Sequence, residues 1–316
     1  MFQKVQNEDI TLRVAVEGSG PLILCIHGWP ELWYSWRHQL SYFTDSGYTV
    51  AAMDVRGYGG SDKPSGVENY ILSKLAGDAA AVLQELSDEP AILFGHDWGA
   101  PIAYATAQQY PQLVRGVAGL SVPFRPRGEA SLPQVAKQLF PEKFFYMLYF
   151  QKPSEPEQEL EADVMDSLRR VYYACSGDAP LGAFLVDKDK DAGLLEGLVD
   201  PDTFPTWMSE DDLQTYAAAF KAGGFEGPIN RYRAQGIDFE ESAPLLGKAL
   251  PAPACFIGGE RDPVRRVIAG VDMFADLAGG YDDLRICEII DGAGHWLQQE
   301  APQECNRILA RFVASL

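Results

Sequence analysis

The chain has 316 residues, 47% of them hydrophobic, enough to bury a large core as one domain or as a core with a sizeable insertion. Its 45 acidic against 26 basic residues leave a net charge of -19, which argues against a nucleic-acid partner. The five cysteines are scattered without metal-ligand spacing, Met1–Asp9 lacks the apolar stretch of a secretory signal, and no run is apolar enough to span a bilayer, so a cytoplasmic protein with reduced thiols is expected.

In chain order, Leu12–Val16 alternates weakly and Leu22–Ile26 is a continuous apolar strand, with Gly18-Ser19-Gly20-Pro21 between them predicting a hairpin. His27-Gly28-Trp29-Pro30 follows and runs through Glu31 to Arg37 into a helix. Such a loop leaving a central strand is a place for oxyanion-binding donors, here the backbone N–H of Trp29. Tyr48–Met53 is the next strand, and Asp54 and Arg56 beyond it are expected to pair and steady a glycine-rich turn. Leu72–Leu86 carries helical spacing.

Ala91-Ile92-Leu93-Phe94 then reads as a buried strand stopping at Gly95, and Gly99 opens a run of small residues that reads as a helix. Strand, sharp turn and helix, with glycines two before and two after the middle residue, make a nucleophile elbow. The apex residue is Asp97. An Asp can merely begin a helix. As a nucleophile it has a narrower meaning: a carboxylate attacking saturated carbon gives an ester that water can reopen, whereas serine would leave an ether. The N–H of Trp98 becomes the second oxyanion donor.

Val114–Leu120 is a further strand, and the strand-helix alternation predicts a mostly parallel sheet with helices on both faces. From Phe124 to about Leu246 helical signals run without strands, which predicts a helical lid (124–246) inserted into a core of 1–123 and 247–316. Within it, Glu142–Gln151 is apolar on every face of a predicted helix. Ser154 with Glu157 reads as a capping box opening a helix to about Ala174. Asp187–Asp191 reads as a solvated loop. Ser209 caps a helix that Gly223-Gly224 ends, and Pro228 starts another. The sheet resumes at Ala254–Ile257, leading to Glu260-Arg261-Asp262, and Leu284–Ile290 leads to Asp291-Gly292-Ala293-Gly294-His295-Trp296.

Asp97, Asp262 and His295 each follow a strand's carboxyl end, where open α/β sheets bind ligands. Of the four histidines, His27 precedes the oxyanion loop, His96 is expected to face away from the nucleophile, and His38 lies in a helix without a motif. His295 is left as the base that takes a proton from water, with Asp262 holding its tautomer and Glu260 as the alternative acid.

The stretches His27 to Arg37, Gly95-His96-Asp97-Trp98-Gly99 and Asp291 to Trp296 resemble the soluble epoxide hydrolases of bacteria and plants, members of the α/β-hydrolase family. The resemblance spans nearly the whole chain, which starts directly at the sheet domain and is therefore expected to lack the N-terminal phosphatase domain of mammalian forms. It implies the α/β-hydrolase fold, no cofactor or metal, and two tyrosines that hydrogen-bond the epoxide oxygen, Tyr146 and Tyr232. The family often has Trp where this chain has Arg231.

The expected activity is conversion of a small apolar or aromatic epoxide to a vicinal diol through an ester on Asp97, with Phe144, Phe145 and Trp98 among the substrate contacts. A haloalkane or haloacid dehalogenase on the same scaffold is the nearest rival, against which the tyrosine pair and the lack of Asn at Trp29 argue. A non-catalytic binding protein is the rival of another class. Oligomeric state, a homodimer included, is left open.

Overall fold

The computed structural model describes residues 1–316. Eight strands form one sheet in the order β1-β2-β4-β3-β5-β6-β7-β8. They are β1 (Phe2–Asn7), β2 (Ile10–Gly18), β3 (Leu22–Ile26), β4 (Thr49–Met53), β5 (Ala91–His96), β6 (Val114–Leu120), β7 (Ala254–Gly259) and β8 (Leu284–Ile290). From β4 to β8 the pairing is parallel, and β1 and β2 add an antiparallel edge. This is the α/β-hydrolase fold expected from the sequence.

Side chains alternate between the two faces, as the pleat requires. Leu22, Leu24, Ile26 and Leu93 enter one core with α2 (Leu72–Leu86) and α3 (Gly99–Gln109). Ile23, Cys25, Ile92 and Phe94 enter the other, packed by α1 (Arg37–Asp45) and α12 (Pro302–Ala314). Central strands buried on both faces are therefore continuously apolar in sequence. Between β6 and β7 the chain forms only helices, namely α4 (Leu132–Leu139), α5 (Tyr146–Tyr149), α6 (Glu155–Ala162), α7 (Val164–Cys175), α8 (Glu210–Gly223), α9 (Glu226–Arg233) and α10 (Gln235–Glu241), with a short 3-10 turn. The short α11 (Leu297–Glu300) separates β8 from α12. No helix is long and apolar enough to cross a membrane.

Several local expectations need correction. The predicted hairpin does not form: β2 pairs with β4, and the hairpin joins β2 to β1, a polar strand with only Val5 buried. Asp54 and Arg56 do not pair with each other; Arg13 reaches Asp54 and Arg56 reaches Asp78, each at 2.6 Å. Ser154 makes no capping box, because it sits at φ 65° and Glu157 is drawn 2.5 Å from Arg233 instead. The helix it was to open is broken in two, with Asp163 capping α7 through the N–H groups of Met165 and Asp166. The apolar stretch Glu142–Gln151 yields one helical turn, because Phe144 N–H bonds the Lys188 carbonyl. Lys188 itself is half-buried and donates to the carbonyls of Gly193, Leu194 and Glu196, so Asp187–Asp191 is not simply a solvated loop. α9 starts at Glu226, two residues before Pro228.

Candidate active site

Asp97 follows β5 with φ 48°, a left-handed conformation rare outside glycine. The surrounding glycines make that turn fit. A Cβ on Gly99 would lie 1.9 Å from the Ile26 carbonyl oxygen, and one on Gly28 would lie 2.3 Å from Asp97 Oδ1. The loop after β3 can therefore press its backbone on the carboxylate, and the Trp29 N–H donates to Asp97 Oδ1 at 2.7 Å. The Trp29-Pro30 peptide is cis.

His295, in the loop after β8, stands on the other side. Its Nε2 is 3.5 Å from Asp97 Oδ2, and its Nδ1 is 3.1 and 3.2 Å from the two oxygens of Asp262. Asp262 follows β7, is fully buried, and also accepts from the Val264 N–H at 2.8 Å. Burial alone would lower the His295 pKa, but Asp262 and, more weakly, Asp97 outweigh it and hold His295 well above the usual histidine range. Glu260 is turned to the Gly292 N–H at 2.9 Å instead.

A second layer, which sequence reasoning did not assign, braces these loops. His96 does turn away from the nucleophile, with Nε2 2.7 Å from the carbonyl oxygen of His295 and Nδ1 2.6 Å from Glu31. A carbonyl oxygen only accepts, so that Nε2 carries a proton. Glu31 also accepts from the Gly28 N–H at 3.0 Å and from Gln298 at 2.9 Å. One buried pair thus ties the loop that carries Trp29 to the loop of His295. Tyr172 adds another tie, its hydroxyl donating to the Pro30 carbonyl at 2.7 Å. Glu31 lay within a stretch already singled out, so its buried partner was the missing signal.

A cavity opens over Asp97 and His295, walled by Trp29, Tyr146, Phe184, Tyr232 and Val264 among others. Tyr146 and Tyr232 line it as neighbours, packed edge-to-face with ring centres 6.1 Å apart. Burial, then the charge of Asp97, pushes both phenols well above their usual range, so both are held as proton donors. Tyr149 instead donates to Glu159 at 2.7 Å.

The expected substrate contacts are corrected here. Phe144 and Phe145 do not line this cavity. Phe145 stacks on Phe140 at 4.6 Å and braces Tyr146 from behind, while Phe144 lies under Lys188. Trp98 lines a second, larger groove on the far side of Tyr232. The apolar wall comes instead from Phe184, Leu185, Val264 and Val267, in segments outside the strands and α-helices whose sequence gave no periodic signal. No group of His, Cys, Asp and Glu is arranged to hold a metal ion.

A carboxylate at the sharp turn between β5 and α3, with a backbone donor on one oxygen and an Asp-supported histidine beside the other, is the arrangement that an α/β-hydrolase with an acidic nucleophile requires. The α/β-hydrolase fold family matches residues 21–302. Epoxide hydrolase A of Mycobacterium tuberculosis is 38% identical over 99% of this chain and 97% of its own. Epoxide hydrolase 3 of Siraitia grosvenorii is 34% identical over 98% and 96%. Among solved structures, an epoxide hydrolase from an endophytic Streptomyces superposes with a TM-score of 0.95 at 36% identity, covering 100% of this chain and 95% of that one. Epoxide hydrolase A from Mycobacterium thermoresistibile gives 0.92 at 37%, covering 100% and 98%. The chain belongs to the epoxide hydrolases of the α/β-hydrolase family.

Proposed function

We propose that this enzyme opens epoxides to vicinal diols through a covalent ester on Asp97. Asp97 Oδ1 is occupied by the Trp29 N–H, which leaves Oδ2 as the attacking atom. Oδ2 bonds to a saturated ring carbon, the C–O bond of the ring breaks, and the departing oxygen takes a proton from Tyr146 or Tyr232. Water then attacks the ester's carboxyl carbon and gives its proton to His295, oriented by Asp262. The N–H groups of Trp29 and Trp98 stabilise the tetrahedral oxyanion; as it collapses, the His295 imidazolium protonates the departing alkoxide, and the acid proton left on Asp97 returns to the tyrosinate through water, so the diol leaves with carboxylate, imidazole and phenol regenerated. The observation that carries this reading is the pair of phenols that share one largely apolar cavity with the Asp97 carboxylate and His295.

Residues 124–246 act as a lid supplying those phenols, and the core comprises 1–123 and 247–316. The apolar wall of Phe184, Leu185, Val264 and Val267 supports an apolar or aromatic epoxide as substrate. Five unpaired cysteines, four of them buried, support a cytoplasmic location.

The test is to trap the ester. His295→Gln exposed to an aryl epoxide should gain the full mass of the epoxide on Asp97, and Asp97→Asn should gain nothing. A chloroalkane adduct, formed with loss of HCl and without any epoxide adduct, would identify a dehalogenase instead. No adduct from either probe would remove the covalent route.

A further inference from the structure

Glu300, at the end of α11, has no part in the mechanism above, yet its carboxylate brackets the catalytic histidine. Its Oε1 accepts from the Trp296 N–H at 2.9 Å, and its Oε2 accepts from the Gly294 N–H at 2.9 Å. These are the residues immediately after and before His295. The same Oε2 accepts from the Gly177 N–H at 2.8 Å, just beyond the end of α7. Three donors from two loops converge on one side chain.

Those loops touch through bare backbone. A Cβ on Gly177 would lie 2.0 Å from the Gly292 carbonyl oxygen, and one on Gly294 would lie 2.3 Å from the Gly177 nitrogen. The His295 N–H donates to the Cys175 carbonyl at 2.9 Å, and the Trp296 indole donates to the Tyr172 carbonyl at 2.9 Å. The histidine loop is thereby sewn to the last turn of α7, and the Glu300 carboxylate accepts N–H groups from both sides of the seam.

We propose that Glu300 is a positioning residue for ester hydrolysis, whose ionised carboxylate holds the His295 loop against α7 with Nε2 aimed at Asp97. This rests on His295 being the base. An ionised carboxylate accepts all three N–H groups, whereas a protonated one turns a donor toward one of them and frees the loop. Misplacement of a reacting group by about 1 Å costs on the order of a hundredfold in rate. The titratable groups facing Glu300 are Asp262 beyond β7 and Cys175 on α7. Desolvation pushes Glu300 up to about 7, against the pull of the three N–H donors, with Asp262 adding to the rise. The grip is therefore lost on mild acidification.

The experiment follows formation and decay of the Asp97 ester separately, by rapid quench and intact mass, from mild acid to beyond the raised ionisation of His295. His295→Gln should accumulate ester, which verifies the reading underneath; failure to do so would overturn that reading rather than the role of Glu300. In the unaltered chain the decay should rise with pH through two ionisations, those of His295 and Glu300. Glu300→Gln, which imitates the protonated acid, should form ester at a near-normal rate. Its decay should be slower by about tenfold or more and follow one ionisation. Glu300→Asp keeps the charge on a shorter arm and should keep two ionisations with a displaced midpoint. Decay of Glu300→Gln that is unchanged, or reduced equally at every pH with both ionisations intact, overturns the proposal. Should Glu300→Gln not fold, an unmoved midpoint in Glu300→Asp would do the same.

Discussion

Nδ1 of His96 lies 2.6 Å from Oε2 of Glu31, and both side chains are fully buried between the loops that carry Trp29 and His295. That Oε2 accepts from His96 and from the Gly28 N–H together. A glutamine amide cannot do both jobs: its oxygen can serve both donors only if His96 stays charged without a counter-ion, and its NH2 would face the Gly28 N–H. Glu31→Gln should leave a buried polar group unsatisfied, at about 1–3 kcal/mol. Burial raises the Glu31 pKa, but His96 and His27 outweigh it and set it below the usual glutamate value. The pair's stabilisation is thus full above the unfolded pKa and lost as pH falls through the folded one. Thermal unfolding should show the variant's deficit near neutral pH, shrinking in acid; a deficit constant with pH would contradict it.

His295 leads to the opposite sign. Its folded pKa is raised, so its contribution to stability is present below the unfolded value and fades as pH rises through the folded one. Two carboxylates raise it, and the proposed ester removes the charge of one, Asp97. Alkylation therefore lowers the pKa of His295 at the step that needs a neutral base. Asp97→Asn, which imitates the uncharged ester, should titrate His295 at lower pH than the unaltered enzyme when followed by NMR. An unchanged midpoint would remove Asp97 from the histidine's electrostatics.

Gly28 and Gly99 are both crowded, but different atoms crowd them. A Cβ on Gly28 meets the Asp97 carboxylate at 2.3 Å, its Cβ at 2.5 Å and the Trp98 backbone nitrogen at 2.5 Å, so alanine there displaces Asp97 and the turn that holds it. Gly28→Ala should slow ester formation about a hundredfold or more while the fold persists. A Cβ on Gly99 meets the Ile26 carbonyl oxygen at 1.9 Å, which is backbone of β3. Gly99→Ala should cost about 1–3 kcal/mol of stability, seen as a lowered Tm. Normal ester formation in Gly28→Ala would show that the loop can retreat.

How much of this was readable depends on whether the deciding forces are local. α2 and β3 fall where helical spacing and a continuous apolar run put them, because each signal lies wholly inside its element. β1 could not be read: Phe2–Asn7 is an edge strand whose conformation is set by pairing with β2, and five of its six residues are not buried. The run from Phe144 to Phe150 misled because its aromatic rings serve different masters, Tyr146 the cavity and Phe150 the Trp29 and Tyr232 rings. Asp97, Asp262 and His295 were recognisable because each ends a strand in a loop with its own chemistry. Glu31 and His96 were not, since their meaning appears only when residues 65 apart meet behind the site.

Tyr146 and Tyr232 give the last prediction, and its sign rests on their surroundings. Desolvation and Asp97 raise both, Cys175 and Asp262 add to the rise at Tyr146, and Tyr58 adds to it at Tyr232 while the Trp98 indole pulls Tyr232 back. Neither phenol should ionise below the ordinary tyrosine range of about 10, so ester formation should show no alkaline limb below it. Each single Tyr→Phe variant removes one donor from the developing alkoxide, and loss of such a donor costs about a hundred- to a thousandfold. Trp98 stands edge-on to Tyr232 with ring centres 5.2 Å apart, which offers that phenol a stabilisation Tyr146 lacks. Tyr232→Phe should therefore slow ester formation more than Tyr146→Phe, and the double variant should abolish it, while decay of a preformed ester changes little in either single variant. Single-turnover rates measured for both half-reactions decide the matter. Equal loss in formation and decay would make the tyrosines supports of the cavity wall rather than donors to the epoxide oxygen.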